Sequence, residues 1–362
     1  MNTLFGIWDT IQIRLFPVIE EEIQTELTIK EKQFVEVVSL MDIGKHMRAY
    51  SWCRIGRRKC NRAKILKAFI AKSVYNFPTT SILLEYLNSS RTLRKLCGWE
   101  RVADIPSEAT FSRAFDEFSS GRLLEIVHQA MVKEHLGDKL VGHISGDSTA
   151  IEAREKAVRK VKAEKKQKKR GRPFKGSVQA IEPKRLDLQL KRSLDENLDD
   201  LPKPCDFGCK RDSKGKTYSW QGYKLHIGVA DGDVPISAIL TSASLHDSQV
   251  AIPLAQMTNE RITNCYDLYD AAYDAPQIKD FSRSLGHVPI IDSNPRRGEK
   301  IPFDPAEKAR FANRSSVERI NSDLKDNHGG NHIRVKGHSK IMCHLMLGIL
   351  VITASNLFSM LC

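Results

Sequence analysis

An all-helical segment followed by a mixed α/β sheet is the fold class this sequence predicts, and three observations carry it. Up to about residue 135, apolar residues recur at helical spacing, with Pro78 and Pro106 as punctuation. At residue 140 the period changes to that of a strand, in Leu140-Val-Gly-His-Ile-Ser-Gly-Asp147. From there strands and helices alternate, the pattern of a sheet with flanking helices.

Residues 1–135 read as a helical domain and 136–362 as a second, α/β domain. In the first, Lys30–Asp42, Ala63–Tyr75, Thr80–Leu87 and Glu108–Phe118 have helical apolar spacing. The last opens with Ser107-x-x-Thr110 and exposes Arg113, as a helix-turn-helix reading helix would; an ordinary bundle fits the same pattern. In the second, Trp220–Ala230 and Val234–Ser242 form a hairpin joined at Asp231-Gly232-Asp233. Asp247–Met257 and Gln277–Leu285 read as helices, Asn264–Asp270 and Val288–Asp292 as strands. One further helix runs from an Asp304 N-cap, with Pro305 at N1 and Glu307 at N3, to a stop at Gly329–Gly330. The apolar run Ile341–Leu361 contains His344, Thr353, Ser355, Asn356 and Ser359. Those groups are costly in lipid, so the run is expected to be a buried helix and the chain to have no membrane segment.

The formal charge of +13 is unevenly spread. Residues 153–176 hold twelve Lys/Arg and two Glu, so that window carries +10 and the rest of the chain +3. A basic arm on a nearly balanced protein points to a polyanionic partner. Within it, Lys168-Lys169-Arg170-Gly171-Arg172-Pro173 is AT-hook-like: two arginines flanking a glycine can lie along a narrow A·T minor groove. The arm has low complexity and is expected to be partly disordered when free. Behind it, Leu186, Leu190, Leu194, Leu198 and Leu201 predict one docking helix over 184–201. The whole stretch 152–217 reads as an insertion into the second domain. Eight cysteines lack a disulfide-framework spacing, and Leu4–Ile19 lacks a charged leader and contains Asp9 and Arg14. Reduced thiols in a cytoplasm fit best. Cys205-x3-Cys209 has no second Cys/His pair at zinc-finger spacing.

The chemistry-bearing residues lie late in the chain. At about 100° per residue, Phe311, Arg314, Glu318 and Lys325 fall on one helical arc, with Val317, Ile320 and Leu324 opposite. Arg314 and Glu318 also have the spacing of an ordinary i,i+4 ion pair. Acids stand after two strands as well: Asp147, and one of Asp267, Asp270 and Asp274. Carboxylates at adjacent strand ends can share two Mg²⁺ ions about 3.5–4 Å apart.

Phe311-x2-Arg314-x3-Glu318-x6-Lys325 resembles the Tyr-x2-Arg-x3-Glu-x6-Lys signature of DDE transposases from bacterial insertion sequences, with Phe in place of Tyr. Asp147-Ser-Thr resembles the family's first acid motif, and Tyr269-Asp270-Ala-Ala-Tyr273-Asp274 its second. Gly222-Tyr223-Lys224-Leu225-His226 and His246-Asp247-Ser248 resemble its intervening strand and helix start, and Ile105–Arg113 its N-terminal domain. The resemblance implies an RNase H-like mixed sheet with Asp147, Asp270 and Glu318 as the metal-binding catalytic triad. It also implies Arg314 and Lys325 on DNA phosphates and Phe311 stacked on a base. The activity implied is cleavage at terminal inverted repeats, with two Mg²⁺ ions (Mn²⁺ substituting), then strand transfer of the 3′-OH to target DNA. The partners implied are double-stranded DNA, with Arg113 and residues 168–172 contributing, and a second copy of the chain on DNA. No small-molecule substrate is implied, and the setting is a bacterial cytoplasm, at the nucleoid. The alternative is an inactive or repurposed DNA-binding descendant.

Overall fold

Six strands form one sheet in the computed structural model, which describes residues 3–52, 56, 59–158, 183–211, 215–295 and 299–361. They are β1 (Leu140–Glu152), β2 (Asp206–Arg211), β3 (Thr217–Ala230), β4 (Val234–Ser242), β5 (Thr263–Tyr269) and β6 (Val288–Ile291). The order across the sheet is β2-β3-β1-β5-β6, and β4 also pairs with β3. β3 is antiparallel to β1, β2 and β4, whereas β5 is parallel to β1 and β6 to β5. Only β3 therefore runs against the rest, as in an RNase H-like sheet.

Helices α1 (Leu4–Thr10), α2 (Phe16–Ile23), α3 (Ile29–Leu40), α4 (Ile43–His46) and α5 (Arg62–Val74) come first. α6 (Thr80–Ser89), α7 (Arg91–Leu96), α8 (Glu108–Ser120) and α9 (Leu123–Leu136) follow before the sheet. Their starts are chemically marked. Thr28 and Glu31 form a capping box for α3, and the Asn61 side chain accepts the N–H groups of Ala63 and Lys64 at the head of α5.

α10 (Arg185–Gln189) and α11 (Leu194–Asp200) precede β2, α12 (Ser248–Asn259) follows β4, and α13 (Pro276–Ser284) follows β5. The stretch 184–201 is thus two helices, not the single one its leucines predict. Ser193 and Glu196 form a capping box that starts α11 afresh, and a new cap is a new helix. Leu194, Leu198 and Leu201 pack with Ile239, Val250, Leu254 and Met257, while Leu186 joins the cluster around Tyr269 and Tyr273. The end of the presumed insertion also returns to the sheet, as β2 on the edge of β3.

α14 (Pro305–Phe311) and α15 (Ser315–Asn327) are separated by a 3₁₀ turn at Ala312–Arg314. The single helix expected over 304–328 is therefore broken. The predicted Asp304–Glu307 capping box does open it.

α16 (His338–Ser359) is the central post. It packs against α3, α5, α8 and α9 on one side and β4 on the other. It is long and apolar enough to cross a membrane, but 89% of its most apolar window is buried within the fold. One hydrophobic cluster runs from Leu4 in α1 to Phe358 in α16, so the helical segment and the sheet share a core. Polar groups fasten the junction. His128 Nε2 lies 3.2 Å from both the Pro235 carbonyl and Thr353 Oγ1, and Arg261 donates to the Ile236 carbonyl at 2.5 Å.

Candidate active site

Asp147 and Asp270 come together because β1 and β5 are parallel neighbours. Ile144 pairs with Asp267 and Ser145 with Leu268, so the same register carried two residues further sets Asp147 beside Asp270. Aligned residues on neighbouring strands project to the same face, so both carboxylates do. Gly146 points the other way, where an added Cβ would run into the Tyr269 ring.

The other two aspartates that the sequence leaves open are engaged elsewhere. Asp267 is buried on the opposite face, where Ser282 Oγ donates to it at 2.5 Å and Asn264 Nδ2 at 3.0 Å, with His287 Nδ1 at 3.1 Å. Asp274 pairs with Lys279 Nζ at 2.6 Å and accepts the Asn294 N–H at 3.0 Å. Asp270 caps its own short turn by accepting the Ala272 N–H at 2.9 Å.

Electrostatics single out Asp147. Asp147 is half-buried by surface area, yet the protein volume around its carboxyl pushes its pKa up to about 6. Burial is the main cause. Asp270 pushes the same way, against Lys210 and Arg314, which favour the ionised form. Tyr273 is fully buried beside them, and its hydroxyl has no hydrogen-bond partner. Burial raises its pKa well above the usual phenol value, and the charges of Asp247, Asp147 and Asp270 add to that. Asp247 is braced in turn: Lys224 Nζ meets its Oδ1 at 2.8 Å and the Leu245 carbonyl at 2.9 Å, and the Ser148 hydroxyl bonds to it.

α15 lies over the same face of the sheet. Val317, Ile320 and Leu324 are buried, and the helix packs on β1 and β3. Ser145 Oγ, two residues before Asp147 on β1, donates to the Asn313 carbonyl at 3.2 Å and so ties the 3₁₀ turn to the strand. Gly348 lets α16 close on Leu324 and His328, because a Cβ there would meet both. With the apolar stripe on the sheet, Glu318 falls at the helix flank with 56% of its side chain exposed. Arg314 Nη2 holds its Oε1 at 2.5 Å. Lys325 is half-buried, and burial first, then Lys210, lowers its pKa.

The structure therefore brings Arg314 near Asp147 and Asp270 and leaves Glu318 on the exposed flank of α15, paired with Arg314. Among the described residues no group of three His, Cys, Asp or Glu stands close enough to hold a metal ion. Two carboxylates on one face beside an orphaned hydroxyl still suit a hard cation, whose charge would offset the burial of Asp147 and its repulsion by Asp270. Phe311 packs on Phe303, ring centroids 4.7 Å apart, with Arg314 over its ring at 5.8 Å. Arg113 is exposed and bonds only along its own helix, to the Ala109 carbonyl and Thr110 Oγ1, each at 3.2 Å. Lys168, Lys169, Arg170, Gly171 and Arg172 lie outside the described residues. Lys210 was invisible to sequence reasoning: it is one lysine among many on an edge strand, and only the β2–β3 pairing brings it to Asp147.

Two family models match. The transposase DDE domain covers residues 190–354, which hold Lys210, Asp270, Arg314, Glu318 and Lys325 but not Asp147. The transposase domain DUF772 covers residues 21–117, from α2 into α8. No curated protein sequence matches the chain. With a DUF772 domain ahead of a DDE domain on an RNase H-like sheet, this chain belongs to the DDE-type transposases of insertion sequences.

Proposed function

We propose that the chain binds the terminal inverted repeats of its element, hydrolyses a phosphodiester bond there and joins the freed 3′-OH to target DNA. The observation that carries this reading is the pairing of Asp147 and Asp270 on one face at adjacent parallel strands. Divalent metal ions serve this family; here two Mg²⁺ ions, or Mn²⁺, would be held by Asp147 and Asp270, with Glu318 joining. Such ions supply Lewis acidity at phosphorus and lower the pKa of an attacking water.

The chain's own residues do the rest. Arg314 and Lys325 bind phosphate oxygens, Arg314 by its planar fork and Lys325 as a point charge. Arg314 also gates the third acid. An exposed i,i+4 pair is worth only about 0.2–0.5 kcal/mol, so a phosphate that takes Arg314 releases Glu318 towards the strand acids. In the first step water attacks phosphorus and gives up a proton, the P–O3′ bond breaks, and the leaving 3′ oxygen takes up a proton, so that a free 3′-OH and a 5′-phosphate remain. In the second, that hydroxyl attacks a target phosphate, one diester is exchanged for another, and no external energy source is needed. Residues 168–172 and Arg113 add contacts to the duplex, and two copies act together to engage two ends.

Cleavage of a duplex carrying the inverted repeat, in Mg²⁺ and in EDTA, tests the reading with Asp147→Ala and Glu318→Ala. Metal-dependent cutting that both variants lose is expected. Undiminished cutting by both would sink the assigned triad. A repurposed DNA-binding protein is the second reading, favoured by the Glu318–Arg314 pair; it predicts salt-sensitive binding indifferent to metal and no cutting.

A further inference from the structure

A cationic cleft is built where the helical segment meets the residues before α16. Here a cleft of about 580 Å³ is bounded by α5, the head of α6, α8 and residues 334–336. It shares no residue with the carboxylate site.

Lys72 of α5 stands in its wall. The residue is 9% exposed, no acid among the described residues offsets its charge, and burial lowers its pKa to about 8. An unpaired buried cation costs free energy unless something anionic meets it. The head of α6 lies in the same wall, through Thr79 and Thr80. Thr79 Oγ1 takes the Ile82 N–H at 3.2 Å, and helical geometry leaves the N–H groups of Thr80 and Ser81 without intrahelical partners. A helix start beside a buried lysine is an anion cradle.

Arg154, Arg334 and Lys336 stand exposed around the opening. Lys340 is already matched, by Asp116 at 2.7 Å. Glu108 is the other acid of the lining, so cations outnumber acids by three. His344 adds no charge at neutral pH, because burial holds its pKa near about 4 and its Nε2 engages the Gly329 carbonyl at 2.9 Å.

We propose that this cleft seats a backbone phosphate of duplex DNA, held by Lys72 and the head of α6 and flanked by Arg154, Arg334 and Lys336. The proposal rests on the transposase reading for its ligand and adds a contact outside the reacting centre. DNA gripped here is gripped by both parts of the shared core, which ties the helical segment to the strand being cut.

Binding of a fluorescent duplex by the full chain in EDTA, across a salt series, tests it. Each phosphate contact removed lowers the slope of log K against log salt by about 1. Lys72→Gln is expected to lower it by about 1, and Arg334→Ala with Lys336→Ala by about 2. The rim pair is exposed, so it keeps the test sound should Lys72→Gln fail to fold. Acetylation of the unmutated chain at pH 8 gives an independent reading: Lys72 is modified ahead of ordinary lysines, and duplex abolishes that modification. Unchanged slopes in both variants, or a Lys72 that duplex leaves reactive, would overturn this site alone. A chain that binds no duplex at all would overturn the transposase reading and this site with it.

Discussion

The strand acids and the helix acid of the candidate site are held in opposite ways. Asp147 and Asp270 are set by backbone register, with neighbouring strands fixing their spacing before any side chain contributes. Glu318 is set by a helix whose apolar stripe faces the sheet, and its own carboxylate is held only by Arg314 at the solvent edge. The first arrangement costs energy, since Asp147 is desolvated and the charge of Asp270 repels it. The second is loose and nearly free of cost. On the proposed reading, preorganisation resides in the sheet, and Glu318 is left to join when the substrate arrives.

Four perturbations would break or sharpen that contrast. The largest effect is expected from Asp147→Asn or Asp270→Asn in the cleavage assay. If the two aspartates hold the metal as proposed, losing either removes several kcal/mol of transition-state stabilisation, about a thousandfold in rate. A variant that kept more than a tenth of the activity would remove that residue from the site. Next comes Leu324→Ala, which leaves a cavity under α15 and should cost about 2–5 kcal/mol in denaturant unfolding. A loss below about 1 kcal/mol would mean the helix is not seated as described.

Third, Asp147→Asn should stabilise the metal-free protein. The Asp147 pKa is raised above its unfolded value, so the folded state binds the extra proton and stability falls as pH rises from about 4 to about 6. Above pH 6 the full cost, about 1–3 kcal/mol, is present, and Asn escapes it. Melting temperatures of the two proteins should diverge at pH 7.5 and converge near pH 4; a constant gap would refute the burial account. The smallest effect is expected from Glu318→Ala without metal or DNA, within about 0.5 kcal/mol of the parent stability. Strong destabilisation there would show that the Arg314 pair is structural, not a latch.

Much of the fold was legible because its signals are local. The hairpin at Asp231-Gly232-Asp233, the strand before Asp147 and the capping box at Asp304 each depend on residues within a few positions. The acids were legible as candidates, but spacing could not choose among Asp267, Asp270 and Asp274, because register is a relation between strands. The breaks at Ser193 and at Ala312–Arg314 were missed. There the apolar period continues across the gap, while a fresh capping box or a 3₁₀ turn interrupts the backbone. Lys210 and Lys72 were missed for the same reason: each is ordinary in sequence and acquires its setting from segments far along the chain.

The shared post has a consequence for biogenesis. The bundle α3–α9 is complete by Leu136, but α16, against which it packs, begins at His338. At about 5–20 residues per second, a ribosome needs roughly 10–40 s to cover that interval. For that time the inner apolar face of the bundle has no partner, and a chaperone or the surrounding chain must cover it. Acquisition of the native state is thus deferred until nearly all of the sequence has been made. Products stopped before α16 should be insoluble, because they lack the one helix that closes both halves.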